Sequence, residues 1–318
     1  MEKNIRGLHH ITVLASDPQR NYEFYTNVIG LRFVKKTINF DAPDVYHFYF
    51  GDEIGTPGTI LTFFPFPMAK RGVYGTGEAC LISFAIPQKS MDFWIGRLNK
   101  YDILFHGPDK KFGFDCLSFS DPDGLRIELV EDDVDHLSGW ETQDLPRRYS
   151  IKKFFGTTIC LSSTLKTENL LKNVLGFKEY AKNGNIKRFT CGEGDHEARF
   201  DIRTDEESGR ALQSAGSIHH IAWRTESDES QKNWLKQLRA KGFYATDIID
   251  RKYFRSVYFR EPGGVLFEIA TDEPGFMIDE KKENLGNALK LPPIYESRRE
   301  EIEGRLIPIS QDNKRIAV

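Results

Sequence analysis

Cysteine is scarce in this chain and never closely paired. Four occur among 318 residues, at Cys80, Cys116, Cys160 and Cys191, with no CxxC spacing. That pattern argues against a disulfide framework and reads as buried free thiols in a reducing cytosol. No apolar run approaches the roughly 18 residues that a membrane helix needs, so no membrane partner is expected. The opening MEKNIRGLHH is polar and leads straight into a strand, without a secretory apolar stretch. Basic blocks are missing as well. Lys and Arg number 44 against 47 Asp and Glu, a formal charge of −3 mixed along the chain, and no nucleic-acid partner is expected. With 39% hydrophobic and 29% charged residues, the composition is that of a globular protein with a sizeable core. The expected location is cytoplasmic.

What the chain does have is a repeat. GLHHITVLA at 7–15 and SIHHIAWRT at 217–225 are two short apolar runs, each with a doubled histidine before an isoleucine. After the first, DPQRNYEFYTNVIG places Tyr22, Tyr25, Val28 and Ile29 on one helical face and stops at Gly30, a residue suited to the left-handed position after a helix. VYHFYFGD and TILTFFPF then read as strands, giving βαβββ over residues 5–66. The outline recurs at 79–132, 153–204 and 217–272. The closing hairpins of the second and fourth units, FSDPDGLRIELVED and FREPGGVLFEIATD, match closely. Residues 133–150 read as a linker, and 273–318 as a tail packed over a cup mouth or an interface. A βαβββ unit cannot bury its own sheet, so the expected fold is α+β: four units paired into two cup-like half-barrels with helices outside.

Alternate strand residues face opposite sides. In LHHITVL, His9, Ile11 and Val13 share one face, and His10 and Thr12 the other; in IHHIAW, His219, Ile221 and Trp223 oppose His220. The bulkier faces suit the outer helices, which sends His10, Thr12 and His220 into the cups. The same parity in VLFEIATD turns Glu268 inward, and a carboxylate there is costly unless paired or metal-bound. Pairing units in chain order would split these residues into two half-sites. Pairing the first unit with the fourth collects His10, His220 and Glu268 in one cup and leaves the second and third units a ligand-poor cup holding Glu128. Two histidines and one carboxylate on one face is the facial arrangement of non-haem Fe(II) oxygenases, which leaves room for a substrate and O2; Mn(II) or Zn(II) would also suit these donors. His47, His106, His136 and His196 have no matched partner and read as surface or core residues. Phe48, Phe50, Phe63, Phe64 and Phe66 read as core and pocket wall.

LHHITVLASDPQRNYEFYTNVIGLRFVKKTINFD, SIHHIAWRT, YFREPGGVLFEIATD and the tail NALKLPPIYESRREEIEGRL together resemble the vicinal oxygen chelate (glyoxalase/bleomycin resistance/extradiol dioxygenase) superfamily, and within it the ring-cleaving branch that acts on hydroquinones. The resemblance implies Fe(II) at the positions matching His10, His220 and Glu268, a small aromatic substrate and O2. It also implies supporting roles for His9, Thr12, His219, Arg251 and Tyr258. Tyr258 would bond a substrate or oxygen atom, and Arg251 would offset negative charge. His9 or His219 would pass protons, although strand parity sends both to the helix side unless a bulge turns them. The third unit lacks a histidine, which departs from two-domain catechol enzymes. Two other functions fit the same fold: a metal-dependent glyoxalase-type lyase or isomerase, which would want a second glutamate where Thr62 stands, and a protein that sequesters a small aromatic compound. Homo-oligomerisation is left open.

Overall fold

The computed structural model describes residues 4–311. The first repeat runs β1 (Leu8–Ala15), α1 (Pro18–Glu23), β2 (Arg32–Asn39), β3 (Ala42–Gly51) and β4 (Ile60–Pro65). Next come β5 (Glu78–Pro87), α2 (Met91–Lys100), β6 (Phe105–Lys111), β7 (Phe114–Ser120) and β8 (Arg126–Asp132). The third run is β9 (Lys153–Leu161), α3 (Leu165–Asn173), β10 (Lys178–Asn183), β11 (Ile186–Cys191) and β12 (Ala198–Thr204). The fourth is β13 (Ile218–Thr225), α4 (Asp228–Ala240), β14 (Ile249–Asp250), β15 (Arg255–Arg260) and β16 (Leu266–Thr271). A short helix, α5 (Arg299–Arg305), follows in the tail. Residues 312–318 of that tail lie outside the described residues.

Local chemistry starts and stops these elements. Asp17 caps α1 by accepting from the Arg20 amide at 2.8 Å, and Pro18 occupies the first turn, where its missing N–H costs nothing. The helix expected over 18–29 forms, but its second half, Phe24–Val28, is a π turn closed by Ile29 N–H to Phe24 O. Gly30 follows at φ +74°, and a Cβ there would meet Leu145. Ser227 caps α4 through the Ser230 amide.

Two eight-stranded sheets result. One has the order β14-β15-β16-β13-β1-β4-β3-β2 and joins the first repeat to the fourth; the other, β10-β11-β12-β9-β5-β8-β7-β6, joins the third to the second. The seams are antiparallel: β1 on β13, and β5 on β9. Parity holds on the helix side, where Ile11, Val13, Ile221, Trp223, Phe267 and Ile269 are completely or almost completely buried, with Trp234 of α4 among them. Burying such side chains contributes about 1.5–3 kcal/mol each. The pairing of the first repeat with the fourth is the architecture expected above.

Chain-order neighbours are still tied together, by the turns that precede the closing strands. The Asp121 carboxylate accepts from the amides of Asp123 and Leu125 and from the Tyr25 hydroxyl beside α1 at 3.0 Å. Glu261 does the same in the matched turn, accepting from Gly263, Val265 and the Thr167 hydroxyl of α3. One acidic residue thus shapes each hairpin and links it to the helix of a repeat from the opposite sheet.

Candidate metal centre

β1, β13 and β16 lie side by side at the floor of the first cup, and each contributes one inward ligand atom. His10 Nε2, His220 Nε2 and Glu268 Oε2 converge: the nitrogens are 3.2 Å apart, and the oxygen lies 3.3 Å from His10 and 3.0 Å from His220. All three side chains are buried. The other carboxylate oxygen, Oε1, accepts from the Ser256 hydroxyl on β15. Oε2 has no directed hydrogen bond. A buried acceptor left without a donor is costly, by about 1–3 kcal/mol or more when charged. The three separations match the cis edges of an octahedron with bonds of about 2.1–2.3 Å, close to ordinary metal–imidazole and metal–carboxylate lengths. This donor set therefore fits a divalent cation.

The doubled histidines owe their placement to two irregularities in one seam. Register slips between Leu8 and His10 on one side, and between Thr12 and Val13 opposite Ile218 and His220 on the other. His9 and His219 sit at these slips, outside the regular pairing, and both turn toward the ligand side. His9 Nδ1 lies 2.9 Å from His10 Nδ1, and His219 Nδ1 lies 2.8 Å from His220 Nδ1. If the Nε2 lone pairs of His10 and His220 face a cation, their Nδ1–H groups donate to His9 and His219. The proton of each outer ring then sits on its Nε2. His9 Nε2 is buried without a partner, whereas His219 lines the open cavity.

Charge states agree with metal ligation. Burial pulls the His9, His47, His219 and His220 rings below the ordinary histidine range, His219 to about 3, helped in His219 by neighbouring His220. Burial works against ionising Glu268, yet the adjoining His10 and His220 hold its carboxyl well below the usual range. A neutral His220 imidazole beside an ionised Glu268 carboxylate gives the forms that bind a metal.

Above this floor is a cavity of about 440 Å³. Leu14, Phe64, Phe66, Phe254 and Leu266 form apolar walls, while His47, His219, Arg251 and Tyr258 supply polar groups. Phe254 lies over the His10 ring at 4.8 Å between centroids. Arg251 Nε donates to the Tyr258 hydroxyl at 3.3 Å, which leaves the phenol's own hydrogen free to point elsewhere. Burial raises the Tyr258 phenol well above the usual tyrosine range, assisted by Glu268 and opposed by Arg251. Thr12 does not line the cavity. It bonds Thr62 at 2.8 Å behind the wall.

Residues singled out in the sequence thus gather in one place, but others there were passed over. His47 bonds the Thr62 hydroxyl at 2.9 Å through Nε2 and the Tyr49 hydroxyl at 2.8 Å through Nδ1, and it lines the cavity. His47, read from the sequence as a surface or core residue, thus forms part of the cavity wall. The signal was present: in VYHFYF the buried Phe48 and Phe50 take the helix side, so His47 and Tyr49 must take the other. The two halves of the cup also mirror each other. Tyr258 pairs across strands with Glu268 as Tyr49 pairs with Thr62, and Ser256 stands to Glu268 as His47 stands to Thr62. His106, His136 and His196 do not line the cavity.

A pair of curved sheets built from repeated βαβββ units, with two histidines and a glutamate placed to hold a metal at the floor of one cup, defines a class of α+β protein. The particular family is set by comparison: residues 7–129 and 159–269 match the Glyoxalase/Bleomycin resistance protein/Dioxygenase superfamily, and the chain belongs to it. It is 42% identical over 308 residues to the protein named "Putative ring-cleaving dioxygenase MhqO" of Bacillus subtilis (strain 168), covering 97% of this chain and 98% of the relative. It is 33% identical to the "Chlorohydroquinone/hydroquinone 1,2-dioxygenase" of Sphingobium indicum, over 95% and 96% of the two chains. A crystal structure of a "putative dioxygenase" from Bacillus subtilis subsp. subtilis str. 168 superposes with a TM-score of 0.93 at 41% identity, covering 97% and 99%.

Proposed function

We propose that this protein is an Fe(II)-dependent, extradiol-type dioxygenase that opens hydroquinone-type aromatic rings, placing both atoms of O2 in the product. The observation that carries the reading is the convergence of His10, His220 and Glu268 beneath a cavity walled by phenylalanines. Relatives named for hydroquinone and ring cleavage, at 33–42% identity over almost the whole chain, support it. His10, His220 and Glu268 would hold the ion; three protein donors with open positions suit Fe(II) in oxygenases, and Mn(II) or Zn(II) remain compatible with the same set. When bound, ferrous iron supplies the one-electron chemistry that lets O2 react with an electron-rich ring, which closed-shell side chains cannot perform.

The rest is done by the chain itself. Phe64, Phe66 and Phe254 stack on and enclose the ring, and with Leu14 and Leu266 they exclude water. Arg251 draws an anionic phenol into the cavity and offsets its charge. Because Tyr258 accepts from Arg251, its hydroxyl hydrogen is available to a substrate oxygen. His219 presents Nε2–H to the same space and donates a hydrogen bond from that atom to a substrate or oxygen atom. His9 orients His10 as His219 orients His220, and Thr12 steadies Thr62 on the far wall. Four free, buried thiols support a reducing, cytoplasmic setting.

The test is oxygen uptake by protein loaded anaerobically with Fe(II), given methylhydroquinone and, separately, catechol. Uptake with the hydroquinone beyond autoxidation, lost in His220→Ala and on chelation, is the expected result. No enzyme-dependent uptake by protein that retains its iron would overturn the reading. Chelator-sensitive turnover that needs no O2 would instead indicate a lyase.

A further inference from the structure

The tail has no part in the reading above, yet it touches the pocket's two lips. One lip is the turn joining β2 to β3, whose Asn39, Phe40 and Asp41 line the cavity; the other is residues 250–254, which contribute Arg251 and Phe254. Across the mouth the lips meet in an ion pair, Arg251 Nη2 to Asp41 Oδ2 at 3.3 Å. Asp41 is largely exposed there, and an exposed pair of this kind is weak, about 0–1 kcal/mol. It cannot fix the lips unaided.

The tail braces each lip from behind. Asp279 Oδ2 accepts from the Tyr253 hydroxyl at 3.1 Å and from Lys252 Nζ at 2.6 Å, and the Gly275 amide donates to Tyr253 O at 2.9 Å. Lys252 Nζ also donates to Leu291 O at 3.1 Å, and Phe276 packs on the Tyr253 ring at 5.0 Å. Asp279 Oδ1 takes a second cation, Lys35 Nζ of β2, at 2.7 Å. Lys35 is 0% exposed and is shared with Glu280. A cation with no access to water holds its carboxylates in place, because leaving it unpaired would be very costly. At the other lip, the Tyr295 hydroxyl donates to Phe40 O at 3.0 Å, and the Lys290 amide donates to Lys36 O at 2.9 Å.

From these contacts we infer that residues 273–295 form a strap that sets the width and polarity of the substrate mouth. Asp279 is the positioning residue for Arg251 and Phe254, and Tyr295 for Phe40 and Asp41. Neither touches the ring; both act through the turn they hold. The claim rests on the ring-binding cavity proposed above, and two readouts keep them separable.

The first readout is amide hydrogen exchange of the iron-loaded protein, followed over the segments 38–42 and 250–255, where local opening is measured directly. The second is anaerobic optical titration with 4-nitrophenol, a phenol whose absorbance reports its binding. Asp279→Asn should speed exchange at 250–255 and weaken 4-nitrophenol binding about tenfold, with bound iron per chain unchanged. Tyr295→Phe should act on 38–42, with an effect of about two- to threefold on binding. Lys252→Met tests the same lip if Asp279→Asn does not fold. Unchanged exchange at both lips and unchanged phenol affinity, with only a lowered melting temperature, would reduce the strap to packing and overturn the inference. An unsubstituted protein that binds iron but not the phenol would overturn the ring-binding function, and the exchange experiment would still decide the strap.

Discussion

The two sheets share one backbone plan and end in opposite chemistry. In the metal cup, Glu268 lies between Ala222 and Tyr258; in the other, Glu128 lies between Ser83 and Ser118 at the corresponding place. There the Ser83 hydroxyl donates to Glu128 at 2.7 Å, and Lys111 Nζ sits 3.6 Å from Glu128 and 3.3 Å from Asp201. Arg188 holds Asp201 through two bonds of 2.8 and 2.9 Å and lies over the Phe112 ring. Around Glu128, two cations thus meet two anions. The metal cup instead gathers one carboxylate among imidazoles, and among the described residues Glu268 Oε2 has no directed hydrogen bond. A carboxylate flanked only by imidazoles draws in a cation; one with Lys111 beside it already has its partner.

The sharpest break in that contrast is Glu268→Gln. It should strip iron from the protein on desalting and lower oxygen uptake by more than about a thousandfold, since the amide neither carries charge nor binds Fe(II) well. Asp201→Asn in the Glu128 cup should do the reverse. We expect a loss of about 3–5 kcal/mol in urea unfolding, because the buried Arg188 guanidinium loses its carboxylate, with kcat of the folded enzyme unchanged. Equal damage to activity from both substitutions would end the division of labour.

A third comparison concerns the two acidic turns. Burial, with Asp123 nearby, pushes the Asp121 carboxyl up from 3.8 to about 6, against the pull of the turn amides and Tyr25. The folded state therefore holds this proton more tightly than the unfolded chain, and the stabilisation is complete below about pH 4 and lost as pH rises through 6. Asp121→Asn should remove that dependence. The stability advantage of the unsubstituted protein over the variant should shrink by about 2–3 kcal/mol between pH 4 and 7.5, read from urea midpoints. A constant difference would place the carboxyl in its ordinary range. The smallest effect is expected from Tyr258→Phe, about a tenfold fall in kcat with iron content unchanged, set against about threefold for its mirror Tyr49→Phe. Equal losses would mean the halves of the metal cup are used alike.

Strand parity made much of this legible in the sequence. His10, His220 and Glu268 could be placed on one floor because their neighbours Ile11, Trp223 and Phe267 are unmistakably core, and the pairing of outer repeats followed from collecting them. Parity failed at His9 and His219 because a register slip leaves no local trace in composition; both look like helix-facing residues until the seam between β1 and β13 is seen. His47 was missed for another reason. Its parity was readable, but its partners Thr62 and Tyr49 carry no charge and raise no alarm when turned inward. The tail was read only as packing over a cup mouth or an interface; its bracing contacts were unreadable, since Lys35 and Asp279 are 244 residues apart and each resembles an ordinary surface charge.

The seam between β1 and β13 also orders events in time. It joins His10 to His220 across 210 residues, a closure that must follow synthesis of the first three repeats and of β13 itself. The Glu128 cup needs only the middle of the sequence and can assemble first. Until the fourth repeat docks, a nascent chain carries a lone His10 and offers an ion no three-point hold. Stable capture of a cation by these three residues is thereby deferred until the walls that would shield it are in place.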